Sequence, residues 1–294
     1  MIYIGRTNRM QVTKLVSFGA YLDGGDLGEI LLPKRYVPKG CKPGDVLRVF
    51  VYSDSEDRLV ATTEHPRIQV GEAAYLKVRQ QNDVGTFMDW GLGKDLLVPF
   101  NEQAWPMHPG RSSVVYCYLD PHTNRIAAST RFNRHLKEDG RGDFKPGDQA
   151  KLMIATRTPL GYKAIINNTH IGLIFKSDVF DDLRYGQTLK GYIKSIRQED
   201  GKIDLSLQAS SGEVRDRLEE QILDYLNNHE GVSTITDKSP PALIYKTFNA
   251  SKANFKRALG RLYKKQLVLI EKHQVTLVGE PEPSASPWGR KPAG

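Results

Sequence analysis

The chain has 294 residues, 39% of them apolar and 26% charged, with 42 Lys and Arg against 34 Asp and Glu for a net charge of +8. That length allows two to four domains, and the composition is that of a globular protein rather than a disordered or fibrous one. The basic excess favours a polyanionic partner.

No run of about 20 apolar residues is present to cross a bilayer, so no membrane partner is expected. The start, MIYIGRTNRMQV, lacks the apolar stretch of a secretory signal. Two cysteines, Cys41 and Cys117, without a CxxC spacing fit a reducing compartment, and a cytoplasmic location is expected.

Three successive segments repeat one order of parts. The first holds VSFGAYLD, GEILLPKRYV and a long alternating stretch ending YSDSEDRLVATT. The second, from Asn82, reads NDVGTFMDW, KDLLVPFNEQ and a stretch closing on NRIAAST. The third, from Thr158, reads TPLGYKAII, IGLIFKSDVF and a stretch closing on GKIDLSLQ. The marker glycines Gly19, Gly85 and Gly161 recur at the spacing of a small domain rather than of a solenoid repeat. Five short strands per unit predict a five-stranded antiparallel barrel of the OB type. The expected units are residues 1–66, 67–140 and 141–211.

From Gly212 the period becomes helical. Val214, Leu218, Ile222 and Tyr225, with Leu226 beside them, mark one helix, and Gly231 its stop. SPPALIYKTF predicts a second helix with prolines near its start. NASKANFKRALGRLYKKQ predicts a third, with Ser251 as N-cap and Phe255, Leu259 and Leu262 on its inner face. LVLIEKHQVTLV then alternates around a turn, so residues 212–279 are expected to form an α+β winged-helix domain. The Pro- and Ser-rich residues 280–294 predict a disordered tail.

The units resemble S1-type RNA-binding domains, in the FGAY strand, in GEILLP and IGLIFKS, and in the closing KIDLSLQ. Three such units followed by a winged helix resemble the conserved virulence factor B (CvfB) family of bacterial RNA-binding proteins. The resemblance implies a role in post-transcriptional regulation. The copies depart from the S1 pattern: its His position is Leu31, Leu97 and Phe175, and the first aromatic, Phe18, becomes Val84 and Leu160.

Single strands are held by aromatic platforms beside a basic groove. The candidates are Phe18, Tyr21 and Arg58 in the first unit, and Phe87, Trp90 and Arg125 in the second. In the third they are Tyr162, Phe175 and Lys202. Gly19 is expected to leave room for a base, with Phe18 closing the barrel and Tyr21 exposed. In an unbroken strand Phe18 and Tyr21 cannot face the same way, so a bulge at Gly19 is expected if both meet the ligand. On the third helix Lys252, Lys256, Arg257, Arg261 and Lys264 form a basic nucleic-acid-reading face. The net charge is +1 in each of the first two units and +3 in each of the third and the winged helix, so phosphate contact is expected mainly in the second half.

No catalytic constellation is legible and no cofactor is expected. The seven histidines lack metal-ligand spacing. GLGKD at 91–95 is not a phosphate loop, no serine sits in a GxSxG elbow, and RGD at 141–143 reads as linker. The sequence therefore predicts a non-catalytic single-stranded RNA-binding protein. Two alternatives stand beside it. One is a DNA-binding transcription regulator using the winged helix, and the other is a protein-interaction scaffold attached to the ribosome, with ribosome-associated proteins as partners, or to RNA-processing machinery. The sequence leaves the oligomeric state open.

Overall fold

The computed structural model describes residues 1–179, 182–209 and 212–278. The expected tail at 280–294 and the side chain of Val214 lie outside the described residues. The chain forms two compact units, residues 1–207 and 208–294.

The first unit carries three copies of one five-stranded topology. The first copy comprises β1 (Thr7–Val16), β2 (Gly19–Asp23), β3 (Glu29–Pro33), β4 (Val46–Ser53) and β5 (Leu59–Thr62). It closes in the order β1-β2-β3-β5-β4. The second comprises β6 (Ala73–Asn82), β7 (Gly85–Asp89), β8 (Leu96–Pro99), β9 (Ser112–Leu119) and β10 (Ile126–Ser129). The third comprises β11 (Gln149–Arg157), β12 (Gly161–Ile166), β13 (His170–Phe175), β14 (Thr188–Ile196) and β15 (Ile203–Ser206). It closes like the first.

Two details differ from the expected antiparallel barrels. Closure in the first and third copies uses a parallel pair, β3 with β5 and β13 with β15. In the second copy β8 and β10 run alongside each other, but the ladder stays open between them.

Each long first strand carries a bulge, between Val12 and Lys14, between Val78 and Gln80, and between Ile154 and Thr156. A bulge bends and twists its strand, which lets β1, β6 and β11 each pair with two neighbours around the barrel. The inward residues Met10, Val12, Ala20, Leu22, Ile30 and Leu32 fill the first barrel, and their alternation along the strands follows from the two-residue period.

The barrels share apolar seams. Phe50, Tyr52 and Val60 of the first pack in one cluster with Ile68, Met88 and Trp90 of the second. Ala73, Val114, Phe132 and Leu136 pack with Ala155, Ile165 and Ile171 of the third. The segment between the second and third barrels is not a free linker. Lys137 bridges His170 and Asp139 bridges Lys202, which straps residues 137–140 onto the third barrel. In the same segment the Arg141 guanidinium closes on Asp139, and Asp143 meets Lys137 and His170.

The second unit contains α1 (Gly212–Asn227), β16 (Val232–Ser233), α2 (Pro241–Phe248), α3 (Lys252–Lys264), β17 (Val268–Ile270) and β18 (Val275–Leu277). Pro241 stands in the first turn of α2, where its missing N–H costs nothing. Ser251 caps α3, its Oγ accepting the Asn254 N–H at 3.1 Å. Gly231, with φ +78°, donates its N–H to the Leu226 carbonyl and ends the α1 region. Leu218, Ile222 and Leu226 of α1 meet Phe255, Leu259 and Leu262 of α3 in the core. The strands form a three-stranded sheet in the order β16-β18-β17. This is a winged helix.

Candidate nucleic-acid interface

The first hairpin of each barrel sets the candidate face. Its tip presents Phe18, Val84 and Leu160 to solvent, 56%, 57% and 63% exposed. The expectation that Phe18 closes the barrel is therefore corrected. It stands in the turn between β1 and β2, before the strand's alternation begins.

Gly19 does not make room for a base. A Cβ built there would lie 2.2 Å from the Leu32 carbonyl oxygen, and the equivalents at Gly85 and Gly161 would lie 2.4 and 2.0 Å from the Val98 and Ile174 oxygens. The neighbouring strand's backbone occupies the space. Nor does Gly19 bulge, since it pairs in register with Val16 and Pro33. The bulge lies farther along β1, opposite Tyr21 and Leu22.

From Gly19 the strand alternates, with Ala20 and Leu22 buried and Tyr21 half-buried on the outer face. Lys14 Nζ lies 4.6 Å from the Tyr21 ring centroid, and Phe18 meets that ring edge-on at 6.3 Å. Lys14 also donates to Glu29 at 2.6 Å and Thr13 donates to the same carboxylate at 2.9 Å. These two hydrogen bonds, Lys14's the stronger, hold the Glu29 carboxyl below its usual range. Arg58 stands in the β4–β5 turn, paired with Asp54 and Glu56 at 2.8 Å each.

In the second barrel Phe87 occupies the Tyr21 position, half-buried and opposite Leu97. Arg79 beside it spans Asp89 at 3.2 Å and Asp95 at 3.1 Å. Burial raises the Asp95 carboxyl, and Arg79 only partly offsets it. Trp90 is an inward residue. It is buried at the seam with the first barrel, edge-on to Phe50 at 5.6 Å, and its indole N–H donates to the Lys94 carbonyl. It has no face for a base. Arg125 pairs with Asp57 of the first barrel, next to Lys94, whose Nζ donates to the Asp54 carbonyl at 2.8 Å. Arg125 thus ties two barrels together.

In the third barrel Tyr162 falls one residue out of register with Tyr21. It is buried in the barrel core, and Lys163 takes the outer position opposite Leu173. Counting two residues from the marker glycine would have found Lys163. Phe175 is half-buried between Lys194 Nζ and the Arg197 guanidinium, 5.7 and 5.9 Å from its ring centroid. Arg197 also pairs with Asp204 at 2.9 Å, and Lys202 with Asp200 at 3.1 Å. On this face lies a cleft of about 420 Å³, walled by Leu160, Lys163, Leu173, Arg197 and Lys202 and, from the strap, Glu138. That size is typical of small-ligand sites.

The basic face of α3 is divided. Lys256, Arg257 and Lys264 are exposed. Lys252 donates to the Ser239 carbonyl at 3.0 Å, and Arg257 to Asn254 at 3.0 Å. Arg261 turns inward to Glu219 of α1, which Lys265 also meets at 2.7 Å. Arg261 is a helix–helix tie rather than part of an outer reading face. Among the described residues no group of three or more His, Cys, Asp or Glu side chains could hold a metal ion, and no helix is long and apolar enough to cross a membrane.

Small β-barrels with an aromatic and basic outer face, followed by a winged helix, define a nucleic-acid-binding protein. Residues 4–64 match the S1 domain, and residues 220–277 match the CvfB-like winged helix domain. The chain is 31% identical over 280 residues to the uncharacterized protein YitL of Bacillus subtilis, covering 91% of each. It is 26% identical to conserved virulence factor B of Staphylococcus saprophyticus, covering 84% of this chain and 82% of that protein. A solved multidomain protein with nucleic acid binding domains from Streptococcus pneumoniae aligns at 23% identity and a TM-score of 0.39, over 94% of this chain and 98% of that one. The chain belongs to the CvfB family.

Proposed function

We propose that this protein binds single-stranded RNA in the bacterial cytoplasm and regulates gene expression after transcription, without catalysis. One observation carries the reading: Lys14, Tyr21 and Phe18 cluster on the outer face of the first barrel, a cation beside two accessible rings. An unpaired base offers a π-face to such a platform and a phosphate to the lysine, whereas a duplex hides its faces in the stack. In this reading residues 1–66, 67–140 and 141–211 are the three binding units and 212–279 the winged helix.

Phe87 and Phe175 extend the platform to the other two barrels, and Lys163 and Lys202 supply cations. The winged helix adds Lys256, Arg257 and Lys264. Those three exposed cations also favour a second reading, a duplex-DNA reader. Titrating labelled oligonucleotides of equal length at one fixed salt concentration separates the two. Tighter binding of single-stranded RNA than of duplex DNA supports the proposal, and the reverse order overturns it.

A further inference from the structure

The third-barrel cleft differs from the other two faces in the origin of its acid. In the first two barrels Glu29, at the start of β3, and Asp95, just before β8, supply it, and each is engaged by a neighbouring cation. The third barrel has Ile171 at that place. Its carboxylate comes instead from Glu138, on the strap.

The strap is fixed by its backbone on both sides of Glu138. Lys137 N–H donates to the Thr169 carbonyl at 3.1 Å and Ile171 N–H to the Lys137 carbonyl at 3.0 Å. Gly140 N–H donates to the Gly201 carbonyl at 3.0 Å. The Lys137 side chain is occupied by Asp143 at 2.9 Å. Glu138 is therefore held in place while its side chain stays 41% exposed, at the cleft wall. Lys163 Nζ lies 4.0 Å from its carboxylate oxygen, beyond hydrogen-bond reach. Both groups keep bonding capacity for a ligand, and the apolar part of the wall is aliphatic: Leu160, Leu173 and Ile203.

A carboxylate beside a polyanion is repulsive unless it meets donors. An ammonium next to a carboxylate presents donor sites and then two acceptor oxygens. Among the four RNA bases, only guanine has the complementary edge: the O6 acceptor followed by the N1–H and N2–H donors. Adenine and cytosine place a ring acceptor where the carboxylate would sit, and uracil has one donor between two acceptors. We infer that the third-barrel cleft takes a single guanine base of the bound strand, with Glu138 accepting from N1–H and N2–H and Lys163 donating to O6. This inference rests on the RNA-binding reading and adds a base preference to it.

The test uses the full chain and labelled oligoadenylates that carry at one central position adenosine, inosine or guanosine. Inosine keeps O6 and N1–H but lacks the 2-amino group. The guanosine oligomer is expected to bind about tenfold more tightly than the all-adenosine one, the scale of one charge-assisted hydrogen bond, with inosine between them. Glu138→Ala removes both acceptors without touching the strap's backbone bonds. It is expected to erase the guanosine preference, leave oligoadenylate affinity unchanged or higher, and keep the thermal midpoint. Equal wild-type binding of all three oligomers overturns the inference alone. A guanosine preference that survives Glu138→Ala also overturns it. Binding of none of them overturns the RNA-binding reading and the inference together.

Discussion

Arg261 on α3 closes on Glu219 of α1, a carboxylate only 6% exposed, and Lys265 meets its other oxygen at 2.7 Å. The pair joins the helix expected to read nucleic acid to the helix behind it. Burial pushes the Glu219 carboxyl up, but the hydrogen bonds from Lys265 and Arg261 outweigh it and hold it below its ordinary value. A carboxyl depressed in the folded state stabilises the fold above its unfolded pKa, about 4.3 for a glutamate. The contribution is lost as pH falls through the lower folded value.

The winged helix is therefore expected to lose stability in acid below about pH 4, and Glu219→Gln is expected to flatten that limb of the stability curve. Arg261→Ala combined with Lys265→Ala leaves the carboxylate without its partners but also admits water to it, and is expected to cost about 1–3 kcal/mol at neutral pH. Urea denaturation of the full chain, followed across pH, measures both.

Phe18 joins Tyr21 on the outer face instead of closing the barrel. Phe18→Ala is expected to change stability by under about 0.5 kcal/mol, as a surface substitution does. It is expected to weaken single-stranded RNA binding by about 1–3 kcal/mol. Tyr21→Ala is expected to weaken binding similarly and to release Lys14 from its ring. Thermal unfolding and fluorescence anisotropy on both variants check this. A folding defect in Phe18→Ala with intact affinity would contradict it.

Gly19→Ala acts on the fold instead. Its methyl group would meet the Leu32 carbonyl oxygen at 2.2 Å, so β2 and β3 must separate. The expected cost is about 1–3 kcal/mol, the range for overpacking a filled site. RNA affinity of the folded fraction is expected to stay the same, which a binding titration well below the unfolding temperature reads directly.

Trp90→Ala empties a seam rather than a binding platform. The expected destabilisation is about 3–5 kcal/mol, with little direct change in affinity. Chemical denaturation of the Ala variant beside Trp90→Phe separates lost packing from a lost indole bond to the Lys94 carbonyl.

Much of the architecture is legible because periodicity reports burial. The marker glycines, the strand alternation and the 3.6-residue spacing of Leu218, Ile222, Phe255 and Leu259 follow from which residues must face inward. The site is less legible because one position of register reverses a side chain. Matching Tyr162 to Tyr21 by residue type placed it outward, whereas counting from Gly161 puts Lys163 there. Trp90, three residues beyond the outward Phe87, falls on the inner phase of the same alternation. Ion pairs between distant segments leave no local trace: Arg125 meets Asp57 across 68 residues, and Arg261 meets Glu219 across 42. Their charges read as free on the sequence and are committed in the fold.

The apolar seams at Trp90 and at Phe132 bear on how a long strand is captured. Modules on flexible tethers search a volume for their second contact, and each tether lowers the effective concentration at that contact. Here the three faces are set by side-chain packing instead of by tether length. In the proposed reading, once one face holds a nucleotide the next is presented at a constant separation along the strand. Capture then depends on whether the RNA is long enough to reach from face to face, and the seams act as a molecular ruler for its minimum length.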